Sequence, residues 1–240
     1  MRILIANDDG IHSPGLLALA QIATGFGEVR VVAPDVEQSS MGHAITHGRP
    51  LAIRRTKIEG LDAWRVNGTP ADCVALGIAL WEKVDVVLSG VNLGPNLGNS
   101  MWHSGTLAAA KQAALLGCRG IALSTPVEDV EPRFDELRPW IVKTLELVLP
   151  KTEWSLLNVN FPPKPTGIRW TRQSVRHYDG KVVPINDPLG RPLHWITVAP
   201  IEGTDEGTDR WAVNSGFVSI TPLRLDLTDT RALESALRDR

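Results

Sequence analysis

Residues 2–10 of the chain read RILIANDDG, and Ser13-Pro14 follows after two further residues. The aliphatic run Ile3-Leu4-Ile5-Ala6 has the length of a strand but shows no alternation of apolar and polar residues. Such a run is typical of a parallel strand buried on both faces. Serine followed by proline predicts the start of a helix. The stretch therefore predicts the first strand, turn and helix of an α/β sheet.

Two adjacent carboxylates, Asp8 and Asp9, follow this strand directly. Neighbouring like charges raise each other's pKa unless a positive group lies between them. In open α/β sheets, ligands bind outside the carboxyl ends of the strands. The pair therefore predicts a cation site at this edge of the sheet. The alternative interpretation is that one aspartate caps the helix and the other is solvated.

Strand and helix patterns alternate along the first 160 residues. After the first helix, further strands are predicted at 28–33, 84–88, 120–124 and 155–159, and helices from Thr69, Leu107 and Phe134. Two more strands, at 51–55 and 63–66, are expected to form a side excursion from the main sheet. Because strand–helix–strand units are parallel and right-handed, this order predicts an α/β fold. Its sheet is expected to be doubly wound and mostly parallel, with helices on both faces.

The chain changes character after residue 160, where Pro, Gly and Trp become frequent. Residues 165–200 are expected to form an extended β-hairpin arm, 218–223 a strand, and 231–238 a short terminal helix. We therefore predict one domain over 1–240. Its core would span about 1–160, and its arm and C-terminal segment about 161–240.

Composition and charge exclude several classes of function. The 240 residues carry 25 basic and 27 acidic side chains, a net charge of −2, without a basic run. This balance leaves no electrostatic footprint for a nucleic-acid polymer or an anionic membrane. No apolar stretch approaches the length of a membrane span. Since Asp8 and Asp9 interrupt the first apolar run, no secretion signal is expected, and a cytoplasmic location is predicted.

Oxygen-bearing side chains follow three of the predicted sheet strands. Asn7, Asp8 and Asp9 follow the first strand, Ser39 lies in the long loop after the second, and Asn92 follows the strand at 84–88. Because parallel strands end at the same edge of a sheet, these residues are expected to lie together. An oxygen-only set suits one divalent ion per subunit, of the Mg, Mn or Ca class, rather than zinc.

An anion-binding motif precedes the helix predicted at 107–116. Ser104, Gly105 and Thr106 lie where the unpaired amides of a helix and its dipole bind phosphate. The alternative is ordinary helix capping by Ser104 or Thr106. His103 is the histidine beside this motif, and none of the six histidines has zinc-ligand spacing.

We call Ser104, Gly105 and Thr106 the phosphate cradle. A hard cation beside this cradle predicts transfer of a phosphoryl group to water. Asp8 and Asp9 are expected to hold the metal, and one of them to orient or deprotonate the water. One alternative, a zinc deacetylase with an Asp-Asp pair, is disfavoured because no paired-histidine motif follows. A second alternative is a Mg-binding, phospho-receiver-like or ligand-binding regulatory domain without turnover. A regulatory domain of this kind would give no role to the long loop after the second strand or to the Ser-Gly-Thr motif.

Several motifs resemble those of the stationary-phase survival protein SurE family, in the same order along nearly the whole chain. They are Asn7-Asp8-Asp9-Gly10, Glu37-Gln38-Ser39, Asn67 through Cys73, Ser89 through Asn96, Ser104-Gly105-Thr106, and Val218 through Leu223. The resemblance implies a Rossmann-like α/β core. It also implies C-terminal arms that exchange between the subunits of a homodimer or homotetramer.

The resemblance further implies an activity and its residues. The activity is that of a metal-dependent 5'- and 3'-nucleotidase that removes phosphate from nucleoside monophosphates and sometimes acts on short polyphosphate. The implied metal ligands are Asp8, Asp9, Ser39 and Asn92. The implied phosphate and substrate contacts are Asn96, Ser104, Gly105 and Thr106, to which we add Asn7 and His103. The chain departs from the family at His103, where tyrosine is frequent, and this difference bears on substrate preference.

Overall fold

The strands and helices of the chain are those of a computed structural model that describes residues 1–127, 133–175, 178–200 and 203–238. The strands are β1 (Arg2–Ala6), β2 (Glu28–Pro34), β3 (Ile53–Ile58), β4 (Leu61–Val66), β5 (Val86–Leu93), β6 (Arg119–Thr125), β7 (Leu156–Asn160), β8 (Gly167–Trp170), β9 (Tyr178–Asn186), β10 (Pro192–Pro200) and β11 (Phe217–Pro222). The helices are α1 (Pro14–Ala23), α2 (Pro70–Ala79), α3 (Gly105–Leu115), α4 (Phe134–Val148), α5 (Asp209–Asn214) and α6 (Thr230–Arg238), with a short 3-10 helix at Gly98–Trp102.

β1 lies near the centre of a nine-stranded sheet with the strand order β3-β4-β2-β1-β5-β6-β7-β11-β8. It pairs in parallel with β2 on one side and with β5 on the other, and β6 and β7 continue the parallel run. The chain leaves β1 for β2 in one direction and reaches β5 in the other. The carboxyl ends of β1 and β5 therefore form the switch point where open α/β sheets bind their ligands. The predicted fold class is confirmed.

Alternate residues of β1 pack into hydrophobic cores on opposite faces of the sheet, as strand geometry requires. Ile3 and Ile5 join the core that contains residues of α1 and α4, whereas Leu4 and Ala6 join the core that contains residues of α2 and α3. All four side chains are completely buried. Burial of each large aliphatic side chain contributes roughly 1.5–3 kcal/mol. Helices on both faces thus explain why β1 is apolar without alternation.

The main sheet includes strands that were not predicted to belong to it. The strands expected at 51–55 and 63–66 are not a side excursion, because β4 pairs in parallel with β2 and β3 forms the sheet edge. The prediction is wrong because Ala63 and Val66 are both completely buried, in the cores on opposite faces of the main sheet. β11 lies between β7 and β8, so the chain beyond residue 160 also contributes to the sheet.

Two C-terminal elements are not part of this sheet. β9 and β10 form a hairpin arm, paired in antiparallel register from Tyr178↔Pro200 to Asn186↔Pro192. The arm is shorter than the predicted 165–200, because β8 pairs with β11 in the main sheet instead. The arm is a separate two-stranded sheet, and apolar side chains such as Trp195 are exposed on it. The predicted terminal helix is also present as α6, and none of its residues is buried.

Candidate metal and phosphate site

Asp8 and Asp9 lie in the turn that follows β1, at the switch point of the sheet. Asn7 shapes this turn, because its Nδ2 donates a hydrogen bond to the Gly10 carbonyl (2.9 Å) and its side chain is completely buried. The loop after β2 closes against the turn, where Gln38 N donates to the Asp8 carbonyl (2.7 Å). Asp8 itself is 4% exposed. The turn therefore holds one carboxylate inside the protein and the next one beside it.

Burial raises the pKa of both carboxyl groups, and neighbouring carboxylates raise it further. For Asp8 the main cause is desolvation, which outweighs the hydrogen bond from Thr106. For Asp9 desolvation is again the larger cause and the charge of Asp8 adds to it, so that its pKa rises to about 7. The Glu37 carboxylate raises the pKa of both groups further. A cation bound among these acidic groups would relieve the repulsion.

Asp9 is hydrogen-bonded to the main chain at the end of β5, next to Asn92. Leu93 N donates a hydrogen bond of 3.3 Å to Asp9 Oδ2. Asn92 Nδ2 donates to the Gly94 carbonyl (2.7 Å), so its amide oxygen is the side-chain atom left to act as a ligand. The structure thus brings an amide oxygen and a carboxylate to neighbouring strand ends, as the sequence predicted.

Ser39 is linked to the pair through Glu37. Its Oγ donates a hydrogen bond of 2.7 Å to Glu37 Oε1, and Glu37 is the carboxylate that raises the pKa of Asp8 and Asp9. Within the ranges that the structure describes, no group of three or more His, Cys, Asp or Glu side chains is placed to hold a metal ion. A cation here would therefore depend on hydroxyl and amide oxygens besides the two aspartates. Such a donor set fits Mg²⁺, Mn²⁺ or Ca²⁺.

The N-terminus of α3 contacts the acid pair directly. Ser104 is the N-cap, and its Oγ accepts a hydrogen bond from Leu107 N (3.0 Å). Thr106 Oγ1 donates to Asp8 Oδ1 (2.7 Å). A methyl group on Gly105 would lie 2.7 Å from Asp8 Cβ, so the helix approaches this closely only because residue 105 is glycine. The amides at the start of α3 therefore lie next to the carboxylates, an arrangement typical of phosphate sites.

Asn96 belongs to the same buried network. Its Nδ2 donates to Ser124 Oγ (2.8 Å) and to Thr106 Oγ1 (3.4 Å). Two asparagines of β7 hold its main chain, because Asn160 Oδ1 accepts from Asn96 N (2.8 Å) and Asn158 Nδ2 donates to the Asn96 carbonyl (2.8 Å). These partners were not predicted from the sequence. Asn158 and Asn160 occupy alternate positions of an apolar strand, so they lie on one face of the sheet, and this pattern could have indicated them.

The structure joins several of the predicted site residues by hydrogen bonds, whereas Ser39 bonds to Glu37 and His103 lies outside this network in the described residues. Asp8, Thr106 and Asn96 form a continuous hydrogen-bonded series. His103 differs, because its side chain is exposed and it is its carbonyl that accepts a hydrogen bond, from Gly42 N (3.0 Å). A substrate contact by the His103 imidazole, like the ligand roles of the other residues, stays a prediction.

Comparison with known proteins identifies the family. Residues 3–180 match the family model described as Survival protein SurE. The chain is 47% identical to 5'-nucleotidase SurE 1 of Thermus thermophilus over 98% of this chain and 96% of that protein. It is 44% identical to 5'-nucleotidase SurE of Deinococcus radiodurans over 95% of this chain and 88% of that protein. The crystal structure of the Sure protein from Aquifex aeolicus matches with a TM-score of 0.86 and 40% identity over 98% of both chains. The chain therefore belongs to the SurE family.

Proposed function

We propose that the chain is a divalent-metal-dependent phosphomonoesterase that hydrolyses nucleoside 5'- and 3'-monophosphates to nucleoside and phosphate. Its relatives are named as 5'-nucleotidases, which supports nucleoside monophosphates as the substrate class. The observation that carries the proposal is the hydrogen bond of 2.7 Å from Thr106 Oγ1 to Asp8 Oδ1. This bond joins a candidate metal ligand to the candidate phosphate cradle.

Asp8, Asp9, Ser39 and Asn92 would hold the cation. The raised pKa of both aspartates supports this assignment, because an uncompensated pair of buried carboxylates is costly. When bound, a divalent ion in such a set acidifies water and neutralises charge on phosphoryl oxygens. A set of about four protein oxygens leaves coordination positions for water and substrate.

The chain's own groups would bind the phosphate and orient the water. The Gly105 N–H has no carbonyl partner within the helix and is suited to a phosphate oxygen. The Thr106 N–H instead donates to the Asp8 carboxylate and lowers its pKa. The Thr106 hydroxyl orients the Asp8 carboxylate. Asp9 Oδ2 accepts from Leu93 N, which orients this carboxylate, and one of Asp8 and Asp9 would also orient the attacking water or accept its proton.

We extend the proposed substrate range to short polyphosphate, as the family resemblance implies. Ser104, Gly105 and Thr106 would contact only the phosphoryl group, and His103 beside them is exposed, so the proposed chemistry does not require one particular leaving group. A substrate panel of a 5'-nucleotide, a 3'-nucleotide and tripolyphosphate tests this range. Release from the 5'-nucleotide alone would restrict the proposal to 5'-nucleotidase activity.

The direct test is phosphate release by the purified protein after treatment with a chelator. A nucleoside 5'-monophosphate is supplied with and without Mn²⁺ or Mg²⁺. We expect release only with the metal, and Asp62→Asn, a change at an exposed aspartate paired with Arg55, provides a matched control. Release without metal would contradict the proposal. Stable phosphorylation of an aspartate without turnover would instead support a receiver-like regulatory domain.

We also propose that the chain forms a homodimer or homotetramer through its arm. Val182, Trp195 and Ile196 of the arm are 65%, 61% and 76% exposed, and a second copy would bury them. The molar mass of the protein, measured by light scattering during elution, tests this, and the mass of a monomer would contradict the proposal.

Among the described residues, every helix is too short or too polar to span a membrane. A cytoplasmic location stays a prediction.

A further inference from the structure

The segment that leads from Asn96 to the phosphate cradle is anchored by a carboxylate outside the candidate site. Asp209 is the first residue of α5 and is 0% exposed. Its Oδ2 accepts a hydrogen bond from Gly98 N (2.9 Å). Gly98 opens the 3-10 helix, and Ser104 follows two residues after that helix ends. Asp209 therefore holds the start of the segment that delivers the cradle.

The second oxygen of Asp209 fixes the position of the carboxylate. Oδ1 accepts hydrogen bonds from Ser174 N (2.9 Å) and Arg210 N (2.8 Å). The Asp209 main chain is held as well, because its N–H donates to the Arg172 carbonyl (2.9 Å). A buried carboxylate is costly unless hydrogen bonds compensate for its lost hydration, and here three N–H groups do so. The carboxylate is thus a fixed point to which Gly98 is attached.

Gly98 is held from both of its polar main-chain groups. Besides the bond from its N–H to Asp209, its carbonyl accepts a hydrogen bond from Gln173 Nε2 (3.1 Å). Its φ is +53°, a left-handed conformation that glycine adopts readily. These two hydrogen bonds attach Gly98 to Asp209 and to Gln173. Asn96, two residues earlier, is held separately by β7, so the segment has one clamp at each of these residues.

We infer that Asp209 is a positioning residue for the phosphate cradle, a role that rests on the proposed function of Ser104, Gly105 and Thr106. Its hydrogen bonds reach neither Asp8 nor Asp9, and it acts through the main chain at Gly98. Without that anchor, the segment that leads to Ser104 can shift and displace the first amides of α3. The turn after β1 keeps its bonds to Gly10 and Gln38 and depends on α3 only through Thr106. Phosphate binding is therefore expected to depend on Asp209 more strongly than cation binding.

The variant Asp209→Asn tests this role. It keeps the size of the side chain but places an amide N–H donor opposite a main-chain N–H group. Two affinities are measured by titration calorimetry: Mn²⁺ for the metal-free protein, and inorganic phosphate for the Mg²⁺-loaded protein. We expect the phosphate Kd and the KM for a nucleoside monophosphate to rise about tenfold, with a clearly smaller rise in the Mn²⁺ Kd. An unchanged phosphate Kd, or an equal loss of both affinities, would overturn the inference.

Two further variants make the test decisive. Gln173→Ala removes only the contact to the Gly98 carbonyl, and we expect the phosphate Kd to rise about threefold. Asp205→Asn changes a carboxylate that is 85% exposed and 4.0 Å from Arg172 Nη2, and is expected to alter neither affinity. If Asp209→Asn does not fold, an unchanged phosphate Kd in Gln173→Ala overturns the inference. A wild-type protein that binds neither Mn²⁺ nor phosphate would instead contradict the proposed function.

Discussion

Thr106 Oγ1 and Asp8 Oδ1 are joined by a hydrogen bond of 2.7 Å between residues 98 positions apart in the sequence. The donor belongs to the first turn of α3, and the acceptor follows β1. The bond therefore connects the helix end suited to phosphate with a carboxylate suited to a divalent cation. It also lowers the pKa of Asp8 against the larger effect of desolvation. A change at either residue is expected to affect both parts of the site.

Replacing Thr106 with valine removes this hydrogen bond while keeping the shape of the side chain. We expect the free energy of unfolding to fall by about 1–3 kcal/mol, because a buried carboxylate oxygen loses its partner. Turnover is expected to fall as well, since Asp8 is no longer oriented. Thr144→Val is the matched control, because Thr144 Oγ1 is buried without a partner among the described residues. Denaturant unfolding should show that Thr144→Val is at least as stable as the wild type. If Thr106→Val is also as stable as the wild type, the hydrogen bond to Asp8 does not contribute as assigned.

Asp8→Asn separates catalysis from stability. The neutral amide removes a candidate metal ligand, and we expect turnover to be abolished. It also removes one of two repelling buried carboxylates, so the Tm of the metal-free protein is expected to stay equal or rise. Calorimetry and an activity assay on the same preparation provide both readings. A strongly lowered Tm would indicate that the carboxylate is needed for the fold rather than for the metal.

The stability of the metal-free protein is expected to fall as the pH rises from about 4 to 7. The pKa of Asp9 is raised from its ordinary value of 3.8 to about 7, so in this range the folded state binds more protons than the unfolded state. Rising pH therefore removes stability until Asp9 has ionised. Added Mn²⁺ should raise the Tm more at pH 8 than at pH 5, because protons compete with the metal for the carboxylates.

Thermal unfolding of wild type and Asp9→Asn across this pH range checks the prediction. The slope of Tm against pH should be smaller in the variant, since its residue 9 does not titrate. Identical slopes would show that the titration of Asp9 is not linked to folding.

Gly105→Ala tests the close contact between α3 and the turn after β1. The added methyl group would lie 2.7 Å from Asp8 Cβ and 2.8 Å from Asp8 Oδ2. The helix end must move away, so we expect weaker phosphate binding and a loss of about 1–3 kcal/mol in stability from overpacking. Gly48→Ala is a suitable control, because a Cβ at Gly48 would meet no atom within 4 Å. Equal phosphate affinity of the two variants would argue against the proposed cradle.

The parts of the site that the sequence predicted are those encoded locally. Asp8 and Asp9 follow a strand whose burial is visible in its composition, and Ser104 precedes a helix whose start is a capping pattern. The carboxyl ends of parallel strands then bring them to one edge of the sheet without further information. The family resemblance added Asn96 and implied the same cation ligands, Asp8, Asp9, Ser39 and Asn92, that the strand ends had indicated.

The parts that the sequence did not predict depend on pairing between distant segments. No local feature of 61–66 shows that β4 pairs with β2 rather than with a separate sheet. The partners of Asn96 lie on β7, 62 and 64 residues away. Asp209 reaches Gly98 across 111 residues. In each case the residue type is visible in the sequence, but its contact partner is set by the pairing of segments that are distant in the chain.

A divalent cation is proposed to bind between Asp8, Asp9, Ser39 and Asn92, beside the start of α3. Anomalous scattering from crystals grown with Mn²⁺ and phosphate would locate it. We predict one manganese peak within coordination distance of Asp8 and Asp9, with phosphate density between that peak and the amide of Gly105. A peak bound elsewhere, with the two aspartates free of metal, would contradict the account.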